Sequence, residues 1–232
     1  MTSSVSSWRL QCGNNANQGN DLDEYTTSVA TLGDVAITAN GVYWLEQPDG
    51  DPWTVRYAAR GALRSALTVY TAGVEVELTA IAASADLVAW LEYDRLNGGT
   101  IVTATATGFQ LGPLPWYASA GPYKDVAVFG QRILFTNGED VGELDVSGGN
   151  MPNLDYTAGY SVLQVAFDPT GERFALATDQ FQSPWFAIHL QNEDGGPKVG
   201  GAIVDARAFA VTADAVFYLQ AGPDAGLYRQ AR

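Results

Sequence analysis

The chain has 232 residues, with 12 Lys or Arg against 26 Asp or Glu, for a net charge of −14. That balance, with no basic cluster, excludes recognition of a nucleic-acid backbone and disfavours anionic membrane surfaces. Hydrophobic residues at 47% and aromatics at 11% exclude a disordered chain, and 25 glycines with 16% charged residues suit short strands and tight turns rather than a helical bundle.

Residues 1–20 read as a flexible polar segment. Met1-Thr2-Ser3-Ser4-Val5-Ser6-Ser7 lacks the apolar run of a secretion signal. The stretch Asn14-Asn15-Ala16-Asn17-Gln18-Gly19-Asn20 resembles the tether that often follows one. A cytoplasmic chain fits, and so does a secreted or periplasmic chain whose leader has been removed. Cys12 is the only cysteine, which excludes an intrachain disulfide and a thiolate metal cluster. No apolar run reaches the length of about 18 residues that a membrane span needs, so no membrane insertion is expected.

Leu22-Asp23-Glu24-Tyr25-Thr26 is the first predicted strand. A four-strand unit then begins and recurs. Its first strand is short, apolar and rich in small residues, at 35–38 and again at 79–82, 126–129, 165–167 and 209–211. A second strand at 42–46 follows Ala39-Asn40-Gly41, where Asn-Gly suits a hairpin turn. Its copies lie at 88–92, 133–137, 174–178 and 216–220, so the starts are 46, 45, 41 and 42 residues apart. Third strands fall at 54–58, 100–105, 142–146, 185–190 and 226–230, several of them alternating apolar and polar residues. Fourth strands fall at 67–71, 114–118 and 154–157, with a weak copy near 198–199. The fifth unit has no fourth strand of its own. Leu22-x-x-Tyr25 matches Leu67-x-x-Tyr70 and Leu114-x-x-Tyr117, which assigns 22–27 to that place, as the outer strand of the unit formed by 206–230. Such closure would cover an edge that could otherwise recruit another chain.

A four-strand unit with a period in the low-to-mid forties resembles the β-propeller superfamily in its small five-bladed form, over residues 21–232. The resemblance rests on architecture and period. There is no Gly-His…Trp-Asp pairing of the WD40 type, and Asp49-Gly50-Asp51-Pro52-Trp53-Thr54 is only faintly similar to a Ser-x-Asp-x-Gly-x-Thr-Trp box. The fold it implies is all-β: five four-stranded antiparallel blades closed by an N-terminal outer strand, in one monomeric domain. Small five-bladed relatives include tachylectin-like lectins and glycosidases of the arabinanase type, so fold alone does not choose a function.

In a propeller the outer-to-inner and second-to-third loops share the face around the funnel mouth. In or beside those loops fall Trp53, Tyr93, Tyr123, Phe181 and Trp185, whose rings can stack on a sugar. Glu46 and Glu92 close equivalent second strands and add acceptors. Asp34 and Asp125 begin equivalent first strands. With Asp49, Asp51, Asp94, Glu139, Asp140, Asp179 and Asp224 in the loops they are candidates for a Ca²⁺ site, the one cofactor the sequence suggests. Asp in a turn also simply caps that turn. Trp44 and Trp90, at one place in two repeats, read as core between blades. His189 is the only histidine, which leaves no two-histidine metal site; between Ile188 and Leu190 it is expected to face outward. These residues point to non-enzymatic recognition or scaffolding, with a carbohydrate or protein ligand at the loop face. The alternative is a glycoside hydrolase-like enzyme whose carboxylates Glu46, Glu92, Asp34 and Asp125 converge on the funnel. The loops are short for a cleft of that kind.

Overall fold

Short apolar runs become strands here because the turns between them are closed by the chain's own side chains. Thr38 Oγ1 accepts hydrogen bonds from the amides of Asn40 and Gly41 at 3.2 and 3.1 Å. Ser84 Oγ does the same for Asp86 and Leu87, and Asp168 Oδ1 for Thr170 and Glu172. Thr212 Oγ1 takes the amide of Ala215. All four stand at the start of a first-to-second-strand turn, and each offers the backbone a local partner that ends the strand. In the third unit the turn between Phe129 and Arg132 is tighter, and Gly130 supplies its φ of +58°.

The computed structural model describes residues 8–12, 23–27, 31–105, 110–119, 121–147, 160–179, 185–190, 198–203, 206–222 and 225–232. A hairpin of β1 (Trp8–Cys12) and β2 (Asp23–Thr27) comes first. The first sheet holds β3 (Thr31–Ile37), β4 (Gly41–Gln47), β5 (Thr54–Ala59) and β6 (Leu67–Thr71), with a 3₁₀ turn at Leu63–Ser65. The second holds β7 (Val76–Ala83), β8 (Leu87–Asp94), β9 (Gly98–Thr105) and β10 (Gln110–Ser119). In the third are β11 (Asp125–Phe129), β12 (Arg132–Thr136) and β13 (Val141–Asp145). The fourth has β14 (Tyr160–Phe167), β15 (Arg173–Asp179), β16 (Trp185–His189) and β17 (Lys198–Ile203). The fifth has β18 (Ala206–Val211), β19 (Ala215–Gln220) and β20 (Gly226–Ala231). Every sheet is an antiparallel meander in chain order, and the structure is all-β among the described residues. The strand predicted at 154–157 lies outside them.

The first strands pack in series, β3 on β7, β7 on β11, β11 on β14 and β14 on β18. Between successive sheets the facing side chains form separate cores. Tyr43, Leu45 and Val55 meet Ile81, Val88 and Trp90; Leu91 and Ile101 meet Tyr123, Ile133 and Phe135. Trp90 is fully buried with its ring 5.1 Å from Tyr70 of the preceding sheet, as the repeat predicts. A side chain of this size contributes upwards of about 1.5–3 kcal/mol when buried. Trp44 is buried on the opposite face of its sheet, against Val42, Ala58 and Leu63.

Two further contacts hold the fourth sheet, one within it and one to the end of the chain. His189 does not face outward: its ring stacks on Phe174 at 4.8 Å, and Nε2 lies 2.6 Å from Glu172 Oε2. A ring that can stack on an apolar neighbour while keeping one nitrogen paired is half-buried at little cost. The guanidinium of Arg232 donates to the buried Asp168 at 2.6 Å and lies over the Phe174 ring.

Strand 22–27 is where the structure departs from the predicted closure. β2 pairs with β1, Trp8 opposite Thr27 through Cys12 opposite Asp23, so part of the predicted flexible segment 1–20 is a strand. The hairpin lies against the 3₁₀ turn of the first sheet, and among the described residues the fifth sheet has three strands. Pairing with the nearest upstream strand closes a far shorter loop than pairing with β20, and so costs less chain entropy. Gln11 stands opposite Glu24 in this register. In a Cys12→Ser background, Gln11→Cys with Glu24→Cys should therefore oxidise to an intramolecular disulfide, because directly opposed antiparallel residues have Cα atoms about 4.5–5.5 Å apart. Glu24→Cys with Arg229→Cys should not. The reverse pattern in non-reducing peptide mapping would restore closure through β20.

Candidate functional site

The loops entering the first and second sheets meet in a cleft of about 320 Å³. Trp53, in the β4–β5 loop, and Tyr93, near the end of β8, face it together with Gln47, Glu75, Glu77 and Arg95. The outer-to-inner loop after β6 and the second-to-third loops thus do share a face here. Trp53 is positioned by Gly33: a Cβ added there would sit 3.2 Å from the indole and 2.9 Å from Leu45 Cβ. Its carbonyl accepts the amide of Ala72 at 2.8 Å, and its ring packs on the core between the two sheets. The turn after β6 is closed by the Val76 amide on the Gly73 carbonyl. The turn after β8 is closed by Asp94, whose oxygens accept from the Leu96 amide and the Asn97 side chain at 2.8 and 2.5 Å. Those bonds, the Leu96 amide first, hold the Asp94 carboxyl below the usual carboxylate range. The cleft is therefore a rigid, mainly polar notch with two aromatic walls.

The other predicted site residues are placed elsewhere. Glu46 is buried and accepts the Trp44 indole N–H at 3.0 Å; Glu92 accepts that of Trp90 at 3.2 Å. Residues two apart on a strand share a face, so the repeated Trp-Leu-Glu is a self-satisfying core motif rather than a pair of ligand acceptors. Glu92 also bonds the Tyr70 hydroxyl, and burial, then this bond, pushes the Tyr70 pKa up. Tyr123 is core, edge-on to Phe135 at 5.3 Å and beneath Gly99. Trp185 is half-buried against Leu176, Ile203 and Ala206. Both rings found more apolar surface between sheets than at the loop face. Phe181 and Asp224 lie outside the described residues.

Asp34 and Asp125 are bound to backbone. Asp34 Oδ2 accepts the Ile81 amide of the second sheet at 3.0 Å, and its Oδ1 accepts the Val35 amide at 2.8 Å. Asp125 Oδ2 accepts the Val165 amide of the fourth sheet at 2.7 Å. Gln164 Oε1, at the equivalent place, accepts Phe209 N of the fifth sheet at 3.0 Å. A register shift between Leu32 and Val35 lies at Asp34 and one between Val162 and Gln164 adjoins Gln164, whereas Asp125 stands in regular register opposite Thr136. Between the second and third sheets Thr79 Oγ1 donates to the Tyr123 carbonyl instead. Among the described residues no three His, Cys, Asp or Glu side chains are grouped as a metal site would require. The groove along the first strands of the first four sheets is lined by Val35, Ile37, Ala83, Val128 and Phe167 among other apolar and small side chains.

No protein-family model and no curated protein matches the chain. Solved structures do. A chain of a mitotic checkpoint complex superposes with a TM-score of 0.64 at 9% identity, covering 85% of this chain and 61% of that one. Prolyl oligopeptidase B from Galerina marginata gives 0.60 at 12% identity, over 86% of this chain and 32% of that one. The computationally designed Ika8 protein gives 0.57 at 13%, over 86% and 60%. The fold is of the β-propeller type. This chain spans about a third of prolyl oligopeptidase B and about three fifths of the other two. Identities this low carry the fold and nothing of the chemistry.

Sequence reasoning found Trp53 and Tyr93 of the cleft and missed Gln47, Glu75, Glu77 and Arg95. The signal available for Glu75 and Glu77 was the alternation Glu75-Val76-Glu77 at the start of β7. The inter-blade bonds generate a pH prediction. Burial, helped by the charge of Asp34, pushes the Asp125 carboxyl up to about 7 despite the Val165 amide. The folded chain then holds a proton that the unfolded chain releases, so this group's contribution to stability falls as pH rises from about 4 to about 7. Asp125→Asn keeps the acceptor and removes the titration. Its melting temperature should exceed the parent's at pH 8 and match it near pH 4; equal values at both would show that Asp125 ionises freely. Because the carboxylate serves as a latch, chelator should leave the parent's melting temperature unchanged.

Proposed function

We propose that this chain is a non-enzymatic recognition module: a propeller of five blades, the five sheets in order, that presents a ligand cleft between blades 1 and 2. The observation that carries this reading is the convergence of Trp53 and Tyr93 with Gln47, Glu75, Glu77 and Arg95 in one cleft supported by core packing. Aromatic walls with a few fixed polar groups are the general make-up of a binding site. A catalytic reading has less support, because Glu46, Glu92, Asp34 and Asp125 are each engaged in a hydrogen bond that holds the scaffold. The ligand classes are protein and carbohydrate; the two aromatic rings beside carboxylates and an amide favour keeping the sugar.

A glycan array and a peptide display library, probed in parallel with the parent and with Trp53→Ala, test the reading. A ligand held by the parent should weaken at least tenfold in the variant, about 1.4 kcal/mol, while the lost packing on the core lowers the melting temperature without abolishing the folded state. Gly33→Ala should also weaken binding without touching the ligand, because the new methyl meets the indole at 3.2 Å, and should lower the melting temperature, because it meets the buried Leu45 Cβ at 2.9 Å. No ligand on either platform, or binding indifferent to both substitutions, would sink the cleft as the site.

A further inference from the structure

Val74 of the cleft lining and Leu96, next in sequence to the lining residue Arg95, are large apolar side chains on loops at this face. Val74 is 83% exposed and Leu96 is 90% exposed. Both stand just beyond the same end of the β7–β8 pair, where Val76 is opposite Asp94. Neither can fold back cheaply, since each sits in a turn closed by its own hydrogen bonds, Val76 to Gly73 in one and Leu96 to Asp94 in the other. The chain provides its own comparison. The second-to-third turn of blade 1 carries Pro48-Asp49-Gly50-Asp51, and that of blade 3 carries Asn137-Gly138-Glu139-Asp140. Polar residues and glycine are what a solvated turn takes; a leucine at the tip loses hydration free energy unless something covers it.

Charge narrows what that cover is. Glu75 and Glu77 line the cleft below Val74, against the single cation Arg95, in a chain of net charge −14. An anionic ligand is repelled and a cationic one is drawn in. A neutral sugar would use Trp53 and Tyr93 but gains nothing from two aliphatic tips. We infer that the occupant is an extended polypeptide segment with a bulky apolar side chain beside Lys or Arg, the apolar group covering Val74 and Leu96 and the cation meeting Glu75 and Glu77. This rests on the cleft being the recognition site and adds the chemistry of its partner. Burial of the two tips supplies affinity, and the carboxylates supply orientation and a salt-dependent on-rate.

The probe is a random peptide display library selected on the full chain. Enriched peptides should share a large apolar residue next to Lys or Arg. A labelled peptide of that consensus should bind the parent at least tenfold more tightly than the Val74→Asp, Leu96→Asp double variant, and more weakly as salt is raised. Both residues are exposed tips, so the double variant should melt with the parent. A second variant, Glu75→Lys with Glu77→Lys, should shift selection toward acidic peptides. Acidic or purely polar consensus peptides on the parent would overturn the inference, as would consensus binding indifferent to the double variant. If only oligosaccharides bind, and Trp53→Ala abolishes that binding, the cleft stands and the peptide partner falls.

Discussion

The arrangement of this chain depends on how the inner edge of each sheet is satisfied. The first strand of a blade has a ladder partner on one side only; on the other its amides face the neighbouring blade and the axis. A buried amide without an acceptor costs about 1–3 kcal/mol. Here the acceptor is a side chain from the blade before it: Asp34 for Ile81, Asp125 for Val165, Gln164 for Phe209. Each bond joins two sheets that share no backbone ladder, and thereby sets the angle at which they meet. The cleft between blades 1 and 2 inherits its shape from that angle, since its walls belong to the two sheets that Asp34 joins.

Between the blades the cores are satisfied in a matching way. Trp90 brings an indole N–H into a dry interface, and Glu92, two residues along the same face, accepts it. Tyr70 then closes over the pair from the preceding blade. A polar core motif of this kind is stable only when every member is paired, and it fixes the register between sheets more tightly than aliphatic contact would. Trp53 rests on the same core, so the recognition surface and the interior are one continuous packing.

Much of the strand layout was legible from the amino acids, because period, turn residues and apolar runs are local signals. β3 to β20 fall where the repeat puts them, within a few residues. The partner of β2 was not legible. Its Leu-x-x-Tyr pattern reads like that of the outer strands, but no local residue says which strand it will pair with, and only loop entropy and tertiary context decide. The bonds between sheets were likewise invisible, so Asp34 and Asp125 read as funnel carboxylates when each accepts an amide of another sheet. Tyr123 and Trp185 read as loop aromatics because their burial is made by distant sheets. Trp53 and Tyr93 came together because consecutive blades bring equivalent loops side by side, which the repeat alone implies.

The Arg232 contact ties the weakest strand to one of the best-buried carboxylates. β20 is an edge strand exposed along nearly its whole length, with Leu227 69% exposed, and such a strand is the natural first segment to open. At its end Arg232 reaches into blade 4 and meets Asp168, which is 2% exposed. Burial opposes ionisation there, but the guanidinium, the Thr170 hydroxyl and the amides of Glu172 and Thr170 outweigh it and hold the carboxyl at about 2. Fraying of β20 from that end therefore strands a buried carboxylate in the neighbouring blade. Local opening of the last strand is coupled to the fourth sheet, so the two should exchange amide hydrogens as one cooperative unit above pH 4. As the pH falls through about 2 the carboxyl is protonated and that link is lost, so in acid β20 comes away first, by itself.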